Sequence, residues 1–162
     1  MRSRKSSFSG VATLVMARTF GHDIIEDLAR YSTVPVINGL TDLLHPCQAL
    51  ADYLTLKEVK GDLEGKRLAY VGDGNNVAHS LMNGGARLGV HVTVVTPEGY
   101  APSEEVLAQS RAAAQESGVE IEVTDDVAQV GLRQLGRRQE ARAVVAELHS
   151  RCRARRPLRE HY

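Results

Sequence analysis

The sequence predicts an α/β fold: parallel sheets with crossover helices, in two partial lobes joined by an interdomain helix. Three observations predict it. Short apolar runs rich in β-branched residues alternate with stretches of helical periodicity, the pattern of strand–helix–strand units. Glycine or proline marks many of the boundaries. A polar, glycine-containing stretch at 60–66 follows the longest early helical pattern and divides the chain. At 162 residues, 43% hydrophobic and 25% charged, the chain is long enough for a real core and ordinary for a soluble globular protein.

Residues 14–17 read as a buried strand running into the polar Arg18-Thr19-Phe20-Gly21-His22. A helix follows over 22–31, with Ile24, Ile25, Leu28 and Ala29 on one face. Residues 34–37 form a second strand, closed by Asn38-Gly39. Pro46 then opens a helix running to about 59, since its fixed φ suits the first helical position. Cys47, Leu50, Ala51 and Leu54 give that helix one apolar stripe. Strands over 68–71, 90–95 and 119–123 alternate with helices over 77–88 and 103–117. Gly89 and Gly118 end those two helices, and Ser103 is placed to cap the second.

His45-Pro46-Cys47-Gln48 stands at a helix start, where free backbone N–H groups and the positive end of the helix dipole favour an anion. An imidazole and a carboxamide there could meet a phosphate or carbonyl oxygen. The plainer reading is a capped helix with an incidental histidine. Gly72-Asp73-Gly74-Asn75-Asn76 invites a dinucleotide reading and fails it, because the third glycine of the fingerprint falls at Val77. Either asparagine could instead bind both ends of a zwitterion, or the pair could simply shape a turn. Arg18 carries the planar fork that grips an oxyanion. In parallel sheets ligands gather beyond the carboxyl ends of strands, and Arg18, His45 and Asn76 all follow predicted strands. His22 reads as a helix-start residue, while His79 fits either a core or a site.

Two cysteines, Cys47 and Cys152, make neither a disulfide framework nor a metal motif. No apolar run is long enough to cross a membrane, and the start lacks a signal-peptide cleavage site, so a cytoplasmic protein is expected. The net charge of zero hides an asymmetry: residues 131–162 hold nine Arg against three Glu. Such a run attracts nucleic-acid phosphate. The other readings are a helix carrying Ala141, Val144, Val145 and Leu148, or a segment foreign to the fold. The expectation is that 131–162 lies outside the packed fold and is no dedicated nucleic-acid site.

Taken together, Arg18-Thr19-Phe20-Gly21-His22, the 35–42 segment Pro-Val-Ile-Asn-Gly-Leu-Thr-Asp, His45-Pro46-Cys47-Gln48-Ala49-Leu50-Ala51-Asp52, the 72–80 segment from Gly72 to Ser80, and Thr96-Pro97-Glu98-Gly99-Tyr100 closely resemble the ornithine carbamoyltransferase family in order and spacing. The resemblance covers about 14–126. It implies transfer of a carbamoyl group from carbamoyl phosphate to the δ-amine of L-ornithine, giving citrulline and phosphate, without metal or organic cofactor. It implies that Arg18, His45, Pro46, Cys47 and Gln48 bind carbamoyl phosphate, with His45 and Arg18 catalytic, and that Asn76 contacts ornithine. It also implies a homo-oligomer built on trimers. On this pattern 1–44 is the end of a carbamoyl-phosphate domain, 45–60 the interdomain helix, 61–130 the first half of an ornithine domain, and 131–162 a basic non-family tail. The family's Ser-x-Arg-Thr-Arg, Asp-x-x-x-Ser-Met-Gly and His-Cys-Leu-Pro loops do not occur here. The expectation is therefore a fragment of weak or no activity alone.

Overall fold

The computed structural model describes residues 12–126 and the strand at 142–146. The elements run β1 (Val15–Arg18), α1 (His22–Tyr31), β2 (Val36–Leu40), α2 (Pro46–Lys60), β3 (Arg67–Val71), α3 (Asn76–Leu88), β4 (His91–Val95), α4 (Glu104–Ser117), β5 (Ile121–Thr124) and β6 (Arg142–Ala146). The strand–helix alternation yields the predicted parallel sheets. β1 pairs with β2, and a second sheet has the order β5-β4-β3-β6, every neighbour parallel. Parallel neighbours need crossovers, which α1, α3 and α4 supply.

The core lies between the larger sheet and its helices. Leu68, Tyr70, Val92 and Val94 from the strands meet Ala78, Leu81, Met82 and Ala86 of α3, Val106 and Ala114 of α4, and Tyr53 and Leu56 of α2. Gly89 and Gly118 end α3 and α4 in the left-handed region, at φ of 72° and 73°.

Five expectations need correction. In α2 the buried face is Ala49, Tyr53 and Leu56, not the predicted stripe; Leu50 and Leu54 are about three-fifths exposed. The helix is apolar on more than one side, so periodicity alone does not choose a face. The choice falls to α3, where glycines at 84 and 85 admit the Tyr53 ring: a Cβ on Gly84 would come within 2.7 Å of it. In α1, Ile25 is buried and Ile24 half-exposed.

Asn38-Gly39 does not close β2, which runs on to Leu40. The register steps from Ala17↔Asn38 to Arg18↔Leu40, leaving Gly39 as the extra residue of a bulge. A Cβ there would stand 3.0 Å from Arg18 Cγ and 3.1 Å from the Ala17 carbonyl, so this close crossing favours glycine.

Ser103 stands at the N-cap of α4, but its side chain makes no capping bond. Its backbone N–H is taken by a histidine described below. Finally, the basic tail is not wholly outside the sheet. Arg142–Ala146 pairs in parallel with β3, from Arg67↔Arg142 to Val71↔Ala146. β3 would otherwise leave an unpaired edge, and a short segment with two adjacent valines suits a strand better than the helix considered for it. The remainder of 131–162, with Cys152, lies outside the described residues, as do residues 1–11.

Candidate functional site

The carboxyl end of β2 gathers most of the predicted site residues. Arg18 ends β1 exposed, its aliphatic stem crossing Gly39. Cys47, in the first turn of α2, points its thiol at the Asn38 carbonyl, 3.4 Å away. The thiol thus ties α2 to β2. Thr41, fully buried, is the hub of the following loop. Its hydroxyl donates to the Leu44 carbonyl at 3.2 Å and accepts from the Leu44 N–H at 3.1 Å. His22 Nδ1 lies 3.0 Å from the same oxygen. The hydroxyl proton is already committed to Leu44, so His22 acts as donor.

This loop delivers His45 to the start of α2. Pro46 occupies the first turn as predicted. His45 caps the helix by position only, its side chain making no capping bond. The imidazole Nδ1 is buried and has no hydrogen-bond partner, and the same holds for Asn38 Oδ1. Buried polar atoms are nearly always paired, so two orphans flanking one helix start single out this place. Gln48 is exposed, and its carboxamide donates to Asp52 Oδ1 at 2.9 Å along the helix.

The two adjacent asparagines of the Gly72–Asn76 turn have different tasks. Asn75 caps α3: its Oδ1 accepts from the N–H groups of Val77 at 3.0 Å and Ala78 at 3.2 Å. Asn76 reaches away and donates from Nδ2 to the Thr41 carbonyl at 2.7 Å. With its N–H side committed there, the amide presents Oδ1 as its remaining acceptor. Gly74 is obligatory in this turn, because any Cβ would collide with the Ala101–Pro102 backbone.

Sequence reasoning did not foresee the partners of that turn. His79 is buried at 6% exposure. Its Nδ1 lies 2.9 Å from the Leu43 carbonyl, and its Nε2 accepts from the Ser103 N–H at 2.9 Å. Ser80 Oγ donates to the Asn76 carbonyl at 2.9 Å and accepts from the His45 N–H at 2.8 Å. One signal was available: Asn76, His79 and Ser80 share a face at i, i+3 and i+4, a polar patch on the first turns of the helix. Arg18, Cys47, His45 and Asn76 are thus linked through the 38–45 segment, while Gln48 turns along the outside of α2. Among the described residues no group of three or more His, Cys, Asp or Glu could hold a metal ion, and no helix is long and apolar enough to cross a membrane.

A 53% identical stretch of 120 residues matches the ornithine carbamoyltransferase of Oceanobacillus iheyensis, covering 74% of this chain and 37% of that protein. The enzyme of Acidothermus cellulolyticus is 59% identical over 116 residues, covering 72% and 37%. Among solved structures, ornithine carbamoyltransferase from Pyrococcus furiosus superposes with a TM-score of 0.71 at 49% identity, covering 78% of this chain and 43% of that one. The chain therefore spans little more than a third of the length of the curated relatives it matches. Residues 5–58 match the carbamoyl-phosphate-binding domain and residues 64–131 the aspartate/ornithine-binding domain of one family model pair. With both of its domains represented, the chain belongs to the aspartate/ornithine carbamoyltransferase family.

Proposed function

We propose that this chain binds carbamoyl phosphate at the start of α2 and serves transfer of its carbamoyl group to the δ-amine of L-ornithine. The observation that carries the reading is the buried, unpartnered Nδ1 of His45 at a helix N-terminus, one short loop from the exposed guanidinium of Arg18. In the reaction the amine nitrogen attacks the carbamoyl carbon, a C–N bond forms, the C–O bond to phosphate breaks, and the nitrogen loses a proton. Negative charge grows on the carbamoyl oxygen and on the leaving phosphate. His45, as donor, would stabilise the first, and Arg18 would neutralise the second. The free backbone N–H groups of Cys47 and Gln48 at the head of α2, just after Pro46, add the positive end of its dipole. Gln48 would have to leave Asp52 to hold the carbamoyl amide, a cheap exchange on an exposed face. Asn76 Oδ1 would accept from the ammonium of ornithine. The groups used are polar and charged side chains and backbone N–H groups of this chain, and the mechanism is positioning and electrostatics.

The family relationship further supports a cytoplasmic setting and a homo-oligomer as parts of this proposal. Calorimetric titration with carbamoyl phosphate tests the reading. Arg18→Ala should cost about 1.5–3 kcal/mol of binding, the range for a hydrogen bond to a charged group. An unchanged affinity removes Arg18 from the site. No heat on titrating the wild-type chain removes the site itself.

A further inference from the structure

We propose that His79 and Ser80 are positioning residues, which with Asn76 hold the 41–45 loop and so set where the His45 imidazole stands. Each of the three side chains takes a backbone group from an alternate residue of that loop. Asn76 Nδ2 takes the Thr41 carbonyl at 2.7 Å, His79 Nδ1 the Leu43 carbonyl at 2.9 Å, and Ser80 Oγ the His45 N–H at 2.8 Å. No other described side chain outside the loop and α1 bonds to these backbone groups. The latch is polar, and each partner has a fixed sense. Nε2 of His79 must accept, because the Ser103 backbone donates to it, so the ring proton sits on Nδ1 and faces Leu43. Ser80 donates to the Asn76 carbonyl, so its lone pairs face His45.

Two consequences set this apart from ordinary packing. The His45 N–H precedes α2 and lacks an intrahelical acceptor; Ser80 supplies one from another helix. The head of α3 carries both the latch and Asn76, the residue proposed for ornithine. One helical turn therefore touches both halves of the site. The role of His45 toward carbamoyl phosphate rests on the reading given above; the latch itself does not.

Amide hydrogen exchange followed by NMR on the full chain reads the latch without any substrate. In the wild-type chain the His45 amide should exchange at least about tenfold more slowly than the amides of Cys47 and Gln48, which head the helix. Ser80→Ala should abolish that difference while Leu68 to Val71 stay protected, and Ser80→Thr, which keeps a hydroxyl, should restore it. In the same variants calorimetry should find carbamoyl phosphate bound about tenfold more weakly by Ser80→Ala and within about twofold of wild type by Ser80→Thr, a step of one decade being 1.4 kcal/mol. A His45 amide as fast as that of Cys47 in the wild-type chain overturns the proposal. So does a Ser80→Ala chain with both protection and affinity intact. If the wild-type chain does not bind carbamoyl phosphate, the functional reading fails and the exchange data still decide the latch. If Ser80→Ala loses its core protection as well, the wild-type His45 rate and the ¹⁵N shifts of His79 decide alone. Those shifts should report the Nδ1–H tautomer, and an Nε2–H ring overturns the assignment.

Discussion

Replacing Tyr53 by phenylalanine should make the chain less stable near neutral pH and more stable in strong alkali. Tyr53 is 1% exposed and donates its hydroxyl proton to the Leu81 carbonyl at 2.6 Å, joining α2 to α3. Burial, and then the negative charge of Asp52, raise its pKa well above the ordinary tyrosine value of 10.0; a backbone hydrogen bond at Gly85 pulls weakly the other way. The raised value means that the folded chain keeps a proton which the unfolded chain sheds. The phenol's contribution is therefore complete below pH 10 and is lost as the pH rises further. Tyr53→Phe removes one buried hydrogen bond, worth about 0.5–1.5 kcal/mol at pH 8. Above pH 10 the wild-type chain alone loses about 1.4 kcal/mol per pH unit from this group. The two stability curves should then cross near about pH 11. Urea unfolding followed by circular dichroism between pH 8 and 11.5 measures both. Other tyrosines and lysines titrate in both chains and cancel in the difference. A stability difference that stays constant with pH would refute the reasoning, since it would mean that Tyr53 ionises equally in both states.

Asn75→Ala should cost about 0.5–2 kcal/mol in the same urea assay, because the two N–H groups at the head of α3 lose their acceptor. Gly39→Ala should weaken carbamoyl phosphate binding several-fold, since the new methyl group would stand 3.0 Å from Arg18 Cγ and force the guanidinium aside. Calorimetry of the variant beside Arg18→Ala checks this, and an affinity equal to wild type would show that the bulge does not aim the arginine.

Legibility in the sequence depended on how local the cause was. The ends of α3 and α4 were readable because Gly89 and Gly118 take up a conformation few other residues accept. The start of α2 was readable because Pro46 suits one helical position. The buried face of α2 was not, because it depends on two glycines more than twenty-five residues further on. Asn38-Gly39 misled for a related reason. The pair signals a turn by itself, but opposite Ala17 and Arg18 the same glycine makes a bulge within a continuing strand. The tail shows the limit most plainly: nine arginines dominate its composition, yet the pairing of 142–146 follows from an open edge on β3, which no local pattern reveals.

The site divides in the same way. Arg18, His45 and Asn76 could be singled out because their chemistry and their place after strands speak for themselves. The residues that hold the loop leading to His45 are Thr41, His79 and Ser80, which carry no substrate-binding signature. Their value lies in partners that are mostly backbone: the carbonyls of Leu43 and Leu44, and the N–H groups of Leu44, His45 and Ser103. Backbone partners are invisible in a sequence, because every residue but proline offers the same two groups. The histidine between a carbonyl and an N–H donates from Nδ1 to one and accepts at Nε2 from the other, so its ring spans the gap between Leu43 and Ser103. The proposed site is therefore read from a few charged and polar side chains, whereas the residues that support it show their importance only when the fold brings the 41–45 loop and α3 together.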